Sequence, residues 1–503
     1  MKLHTKIKSI IKFSTLVFML VLTSCSDDYL EVGTYGTPEV KNYYKSPVDA
    51  EQGMISVYSA MNEMYARKNF WASMATDLIF GDIGTDDFMK GGNRVNDNIP
   101  LDQKKLYEIP TSSITVEQIW AVNYKGIYYA NLILEKVPAI VFEDTARKQE
   151  ILAEAHFLRA YFYFDLVNSF GGVPLIEKPL KYNEANLPRA TEEATYAFIE
   201  DELELAIAGL PSRFDKDDNY LGRADKGAAL GLMMRVSLYQ NKMNQVKTYG
   251  EQLFALPYVL DADVNHIFKQ SGEWGSGSIF EINFSSNTSL LGMGIIQRVS
   301  PRSKKGGGFM QAKRELRDAY VVNVVGTDTI RDPRYDATFY TPNDKAGTYG
   351  TGWYIRKYSW APYSDYSSPK TGGNANSANN VRVLRLADAY LMYAEAIYTT
   401  NPTLAIEYVN KVRKRARESG GVGNLFPEDL PLTLTGDTLR DAIYKERRLE
   451  LAGEGYRYHD LIRTGRAAAV LGPLGFQTGK HEVMPIPYSQ IQLAKGVLTQ
   501  NNY

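Results

Sequence analysis

The sequence predicts a mainly α protein: a scaffold of stacked helix pairs carrying a large, loop-rich insertion with short strands. Three observations predict it. Apolar residues recur at helical spacing along several long segments, and two of these segments are followed at once by a partner helix of similar design. Between the pairs lie stretches rich in Gly, Asn, Ser and Pro, from Phe80 to Tyr107 and from Asp261 to Val381. Composition agrees with a folded chain. Of 503 residues, 44% are hydrophobic, 12% aromatic and 23% charged, which excludes disorder and a polytopic membrane protein. Lys+Arg 57 against Asp+Glu 58 exerts no long-range pull on phosphate backbones, so nucleic acid is not expected as a partner.

The first element is a targeting segment. Lys2, Lys6, Lys8 and Lys12 precede an apolar run from Phe13 to Leu22, a charged region followed by a hydrophobic region of signal-peptide length. The run is too short to span a bilayer. It ends Leu22-Thr23-Ser24-Cys25, which resembles the lipobox of bacterial lipoproteins, where cleavage leaves an amino-terminal cysteine that is acylated. Residues 1–24 are therefore expected to be removed and Cys25 lipidated, with 25–503 as one domain. Cys25 is the single cysteine, so disulfides, thiol catalysis and Cys-ligated metals fall away. Two acyl chains at about 0.8 kcal/mol per buried methylene give stable attachment to a membrane. Ser26-Asp27-Asp28 resembles the acidic tag that directs such lipoproteins to the outer cell surface.

The helices follow. Ile119, Val122, Ile127, Ala130 and Leu134 mark one, and Phe157, Ala160, Tyr161, Phe164 and Val167 another that stops at Gly171-Gly172. Asp225 to Leu256 reads as a helix pair. So does the stretch in which Leu386, Ala389, Tyr390, Tyr393, Ala394 and Ile397 form one stripe, with a partner running from Pro402 through Ala405, Val409 and Val412. Each pair takes about the 34 residues of a tetratricopeptide repeat. Such pairs cannot bury their faces alone and must stack, small Ala against large Tyr and Phe. Inside the long insertion, placed near 261–381, Ser278 to Ser285 alternates like a strand with Phe280, Ile282 and Phe284 on one face.

No catalytic constellation emerges. The five histidines show no His-Glu-x-x-His or other close ligand spacing, and His156 and His459 sit inside helical blocks where packing explains them. Gly306-Gly307-Gly308 lacks the phosphate-loop spacing and reads as a flexible loop. Asp82, Asp86 and Asp87 could ligate calcium, but the EF-hand order is absent and a solvated loop is the better reading. The basic run Lys411 to Ser419 reads as a solvated helix face. No metal and no cofactor are expected.

Several blocks resemble one family. Glu154 to Leu175 (EAHFLRAYFYFDLVNSFGGVPL), Arg385 to Ala396 (RLADAYLMYAEA), Glu446 to Arg466 (ERRLELAGEGYRYHDLIRTGR) and the closing MPIPYSQIQLAKGVLTQNNY are similar to the signature blocks of SusD/RagB proteins. Glu315 to Tyr340 resembles the family's middle region. The resemblance implies a surface lipoprotein of the outer membrane with a tetratricopeptide-like scaffold. It would bind an oligosaccharide without catalysis and deliver it to a SusC-like, TonB-dependent transporter. A peptide ligand, a purely structural lid and, least favoured, a surface glycoside hydrolase are the alternatives.

A sugar-binding surface needs flat aromatic faces for C–H groups and amides or carboxylates for hydroxyls. Of the five tryptophans, Trp120 lies on a helical stripe and reads as packing. Trp71 sits on a helix margin before the Asp-rich loop, and Trp274, Trp353 and Trp360 fall in the insertion. These four are the candidate ligand contacts. A few such contacts at about 0.5–1.5 kcal/mol each predict weak affinity, with dissociation constants in the micromolar to millimolar range.

Overall fold

A computed structural model describes residues 43–66, 77–181, 184, 186–287, 292–325, 328–341, 349–359, 364–365 and 376–503. Cys25, Trp71 and Trp360 lie outside the described residues. The main helices are α1 (Pro47–Glu63), α2 (Ile99–Leu106), α3 (Ile114–Lys136), α4 (Thr145–Phe170), α5 (Glu192–Gly209), α6 (Lys226–Tyr239) and α7 (Met243–Phe254). After the insertion come α8 (Leu386–Ile397), α9 (Pro402–Glu418), α10 (Gly436–Glu450) and α11 (Arg457–Arg463). Each helix from α3 to α9 packs on the next, α1 closes over α3 and α4, and α10 returns to α8. The mainly α, tetratricopeptide-like architecture expected from the periodicity is the one observed. None of the described helices is long and apolar enough to cross a membrane.

Local chemistry sets the helix ends. Ser46 and Asp49 form a reciprocal capping box at the start of α1, Asp225 accepts the Ala228 N–H at 2.8 Å to open α6, and Asn401 accepts from Leu404 just before Pro402 begins α9. α4 ends where Gly171 turns to φ 72, as the Gly171-Gly172 pair predicts. The single apolar stripe read on α4 is too modest, because Phe157, Leu158, Ala160, Phe162, Tyr163 and Leu166 are all buried. The helix lies between α3, α5 and α1, so every side meets protein. α3 approaches it closely at Gly126, where a Cβ would stand 2.3 Å from the Phe162 ring. Gly126→Val is expected to destabilise the fold by about 1–3 kcal/mol through overpacking, despite the better helix propensity of any side chain there. A thermal unfolding midpoint no lower than wild type would contradict this close approach.

The described part of the insertion forms paired strands. β2 (Ser278–Ile282) pairs antiparallel with β8 (Val381–Arg385), and α8 starts on the next residue. The expected one-faced alternation of β2 fails. Ile279 and Glu281 are as buried as Phe280 and Ile282, since the strand has α6 on one side and polar partners for Glu281 on the other. β1 (Phe88–Gly91), from the first loop-rich stretch, pairs with β3 (Phe309–Ala312) of the insertion, and β7 (Tyr354–Ile355) and β6 (Phe339–Tyr340) extend that sheet in the order β1-β3-β7-β6. A separate hairpin joins β4 (Val321–Val325) to β5 (Asp328–Arg331). Two regions far apart in sequence thus become one layer against the helices. The glycine run beside β3 is closely packed: a Cβ on Gly306 would lie 2.0 Å from the Ser300 carbonyl oxygen.

A buried charge cluster fastens this layer to the scaffold. Glu450 of α10 meets Arg415 of α9 at 2.6 Å, Arg385 at 3.0 Å and Arg334 of the insertion at 3.2 Å. Arg334 also reaches Glu446 and Asp332, both at 2.6 Å, while Lys357 pairs with Glu454 at 2.6 Å. Every charge has an opposite partner, the condition under which burial of ions is tolerated. The basic run is therefore misread as a solvated face. Arg415 is buried, Arg413 reaches Glu446, Arg417 reaches Asp429, and Lys411 lies 4.0 Å above the Tyr408 ring.

Candidate ligand-binding face

Three chain segments meet where the loop-rich stretches leave the scaffold. Ala66 bridges Met293, and Met293 bridges Ser377, with hydrogen bonds of 2.8 and 3.2 Å between the last two. The stretch that carries Trp71 therefore departs from the same point as the segments ending at Asn287 and beginning at Asn376. Asn376 ties two of them, accepting the Gly292 N–H at 2.7 Å and donating to the Ser286 carbonyl at 3.2 Å.

Trp274 follows the short turn Gln270–Gly272 and adopts φ 52, a left-handed conformation uncommon for a bulky residue. Its hydrogen bonds hold it there. The backbone N–H donates to Glu281 at 2.9 Å and the indole N–H to Asn283 at 2.8 Å, and the Arg213 guanidinium lies 5.8 Å from the centroid of the half-buried ring. Asn380 donates to both Glu281 and Asn283 at 3.0 Å, so the braces are themselves fixed by β2 and by the approach to β8. Strained backbone held by surrounding structure is a recurrent property of binding sites. Asp365 adds a further tie, accepting from the Gln270 and Ser271 N–H groups at 2.6 and 3.0 Å and from the Ser271 hydroxyl at 2.6 Å. Burial opposes its ionisation, but the Ser271 hydroxyl and these N–H groups outweigh burial and keep its carboxyl below the ordinary range. The chain just beyond Trp360 is thereby anchored on the turn that presents Trp274.

Trp353 has a different setting. Its indole N–H donates to the Tyr335 hydroxyl at 2.8 Å, and the Arg317 guanidinium lies 3.6 Å from its ring centroid. One face of this indole is already occupied by a cation. Among the described residues no contact joins Trp353 to Trp274. Trp120 packs on Tyr124 and Phe170 at 4.9 and 5.3 Å, as expected for a core residue. The polar groups around Trp274 were not singled out by the sequence. The Asn-rich composition of the insertion signals them as a class, but only strand pairing selects Asn283 and Asn380.

The Asp82, Asp86 and Asp87 group is neither a solvated loop nor an open cation site. Asp86 is gripped by Arg457 at 2.9 and 2.7 Å, Asp87 by Arg448, and buried Asp82 accepts the Gly455 N–H at 3.0 Å. Charges that read as exposed in a Gly-rich stretch are neutralised by arginines some 370 positions away. Among the described residues, no group of three or more His, Cys, Asp or Glu could hold a metal ion. His156 is oriented by Glu202 at 2.9 Å on a helix interface, and His459 packs beside the Tyr239 ring.

The architecture defines a class: tetratricopeptide-like helical scaffolds with an irregular layer built on one side. Two family models match the chain, one described as the SusD family over residues 265–503 and one as starch-binding, associating with outer membrane, over residues 28–238. The chain belongs to the SusD/RagB family. It is 27% identical to SusD-like protein P25 of Formosa agariphila, across 99% of this chain and 100% of that one. Among solved structures, it is similar to a laminarin binding SusD-like protein, with a TM-score of 0.76 and 29% identity over 91% of this chain and 100% of that one. Surface glycan-binding protein A from Bacteroides thetaiotaomicron, in complex with laminarihexaose, gives a TM-score of 0.75 and 25% identity over the same shares, 91% and 100%.

Proposed function

We propose that the protein is a lipid-anchored binder of oligosaccharides at the outer cell surface, without catalytic activity, that hands its cargo to a TonB-dependent transporter. The observation that carries the reading is Trp274. Its strained backbone, braced indole edge and surrounding amides supply both components that sugar recognition needs: an aromatic surface and fixed hydrogen-bonding groups. Trp71 and Trp360 fall on segments whose described flanks lead to the same region, so these residues complete the proposed contact set, with Trp353 as its outlying member. Relatives that bind laminarin and laminarihexaose support a β-glucan as the first ligand to try. Weak affinity suits transfer, because a tethered donor and its acceptor gain from a high effective concentration.

The test is retention of labelled laminarin by intact cells producing the chain. Wild type is expected to hold label saturably and to release no shortened product. Trp274→Ala is expected to weaken retention by roughly 2- to 12-fold, the equivalent of about 0.5–1.5 kcal/mol for one aromatic contact. Cys25→Ser is expected to move the label into the medium with the unanchored protein. Undiminished affinity in Trp274→Ala would remove this residue from the site, and appearance of cleaved glucan would overturn the non-catalytic reading.

A further inference from the structure

The β4–β5 hairpin and the short helix before it, Arg314–Ala319, stand beside a second aromatic patch, built on Trp353. The half-buried indole is fixed at its edge, where its N–H donates to the Tyr335 hydroxyl at 2.8 Å. Tyr335 is fixed in turn, its ring 5.5 Å from Phe339 and 6.1 Å from Tyr320, both buried. Two guanidiniums lie on these rings: Arg317 is 3.6 Å from the Trp353 centroid, and Arg331 is 5.0 Å from that of Tyr335. The fold brings them together because Arg317 lies one helical turn before Val321, and Val321 is the register partner of Arg331.

Neither arginine makes an ion pair among the described residues. Arg317 donates from Nε to the Lys313 carbonyl at 3.4 Å, and its two terminal nitrogens meet no acceptor there. Nearby carboxylates are engaged elsewhere, Asp318 with Arg314 at 3.2 Å and Asp332 with Arg334 at 2.6 Å. The exposed Glu315 and Asp336 pair with neither guanidinium. The Tyr335 hydroxyl accepts the indole N–H and keeps its own proton, for which no described residue is the acceptor. The unengaged side-chain groups of the patch therefore offer donors, two of them charged. Such a surface favours a ligand group that only accepts, and an oxyanion is the strongest of these.

We propose that the Trp353 patch is a subsite for an acidic sugar unit, whose carboxylate or sulfate ester accepts from Arg317, Arg331 and the Tyr335 hydroxyl. The inference rests on the glycan-binding reading above and adds the charge of the glycan to it. Arginine suits the task because its planar fork matches oxyanion geometry, and stacking on a ring orients that fork before the ligand arrives. A neutral glucan gains no anionic hydrogen bond there. The patch thus reads charge, whereas the Trp274 face reads the sugar ring and its hydroxyls.

Calorimetric titration of the full chain in detergent, with micelle blanks, compares two matched pairs at low ionic strength: sulfated laminarihexaose with laminarihexaose, and hexagalacturonate with its methyl ester. At least one acidic member is expected to bind about tenfold more tightly than its neutral counterpart, and added salt to shrink the difference. Preference in the first pair alone identifies a sulfate ester, in the second alone a carboxylate, and in both the shared oxyanion. The double variant Arg317→Gln/Arg331→Gln is expected to lose the preference. Arg314→Gln, whose side chain is 81% exposed and paired with Asp318, is expected to keep it within about twofold. Should the double variant not fold, Arg331→Gln alone, at an exposed position, decides, with an expected loss of about threefold or more. No preference in either pair, a preference undiminished in the folded variants, or an equal loss in Arg314→Gln would overturn the assignment. Laminarihexaose binding that Trp274→Ala weakens, without any charge preference, would remove this subsite and leave the glycan face standing. A charge preference lost in the double variant, without measurable laminarihexaose binding, would keep the subsite and remove neutral β-glucan as the ligand.

Discussion

Glu450→Ala is expected to destabilise the protein by about 3–5 kcal/mol, the cost of leaving buried cations without their counter-charge. Arg334, Arg385 and Arg415 all converge on this carboxylate, and each is buried. Burial by itself would raise the Glu450 pKa, but Arg415, Arg385, Arg334 and Lys357 outweigh it and hold the carboxyl far below the ordinary range. A depressed carboxylate contributes its stability above the unfolded value near 4.5, and loses it as pH falls toward the folded value. Urea unfolding at neutral pH should therefore show the full loss in Glu450→Ala, and the difference from wild type should shrink on strong acidification. Glu428→Ala, at an exposed position on the loop between α9 and α10, is expected to stay within about 0.5 kcal/mol of wild type. Equal unfolding curves for Glu450→Ala and Glu428→Ala would show that the cluster does not fasten the insertion. Because Arg334 belongs to the insertion and Glu450 to the scaffold, the variant is also expected to loosen the layer that presents the ligand face.

Asp82→Asn should act in the opposite sense, and increasingly as pH rises. Asp82 is buried, and desolvation, with Asp87 adding repulsion, pushes its pKa up to about 8 against the pull of the Gly455 and Arg457 N–H groups and of Lys357. A raised carboxyl favours folding fully only below the unfolded value near 3.8, and that advantage is lost as pH rises through about 8. At pH about 9 the wild type must ionise this group inside the protein, whereas Asn keeps an oxygen for the Gly455 N–H and carries no charge. The variant is expected to match wild type near pH 4 and to gain on it as pH rises, by on the order of a few kcal/mol at pH about 9. A stability difference independent of pH between 6 and 9 would contradict a protonated Asp82 in the folded state.

These two sites show where the sequence is legible. Helices α4, α6, α8 and α9 stand where their apolar spacing and their Gly171, Asp225 and Pro402 boundaries place them. The same spacing underestimates the burial of α4, because it records which residues are apolar and not how many neighbours surround a helix. Asp82, Asp86 and Asp87 read as a polar loop because Arg448 and Arg457, their partners, lie hundreds of residues downstream. Arg415 reads as solvated for the same reason. The strand expected at Ser278 is present, but its burial on both faces required α6 and the Asn380 contacts to be known. Among the candidate tryptophans, composition could locate Trp274 and Trp353 in the insertion and could not tell that one is braced beside amides, with Arg213 5.8 Å from its ring centroid, and the other more closely capped by Arg317 at 3.6 Å.

The sequence by itself determined the helical scaffold, the family and the expected lipid attachment point at Cys25, because these follow from short-range spacing, capping and contiguous motifs. Only the tertiary structure decided that the two loop-rich stretches share a sheet and that the acidic and basic runs neutralise one another in the interior. Each of those outcomes depends on the energy of bringing distant groups into one low-dielectric place, and no local pattern of residues records which distant partner will meet which.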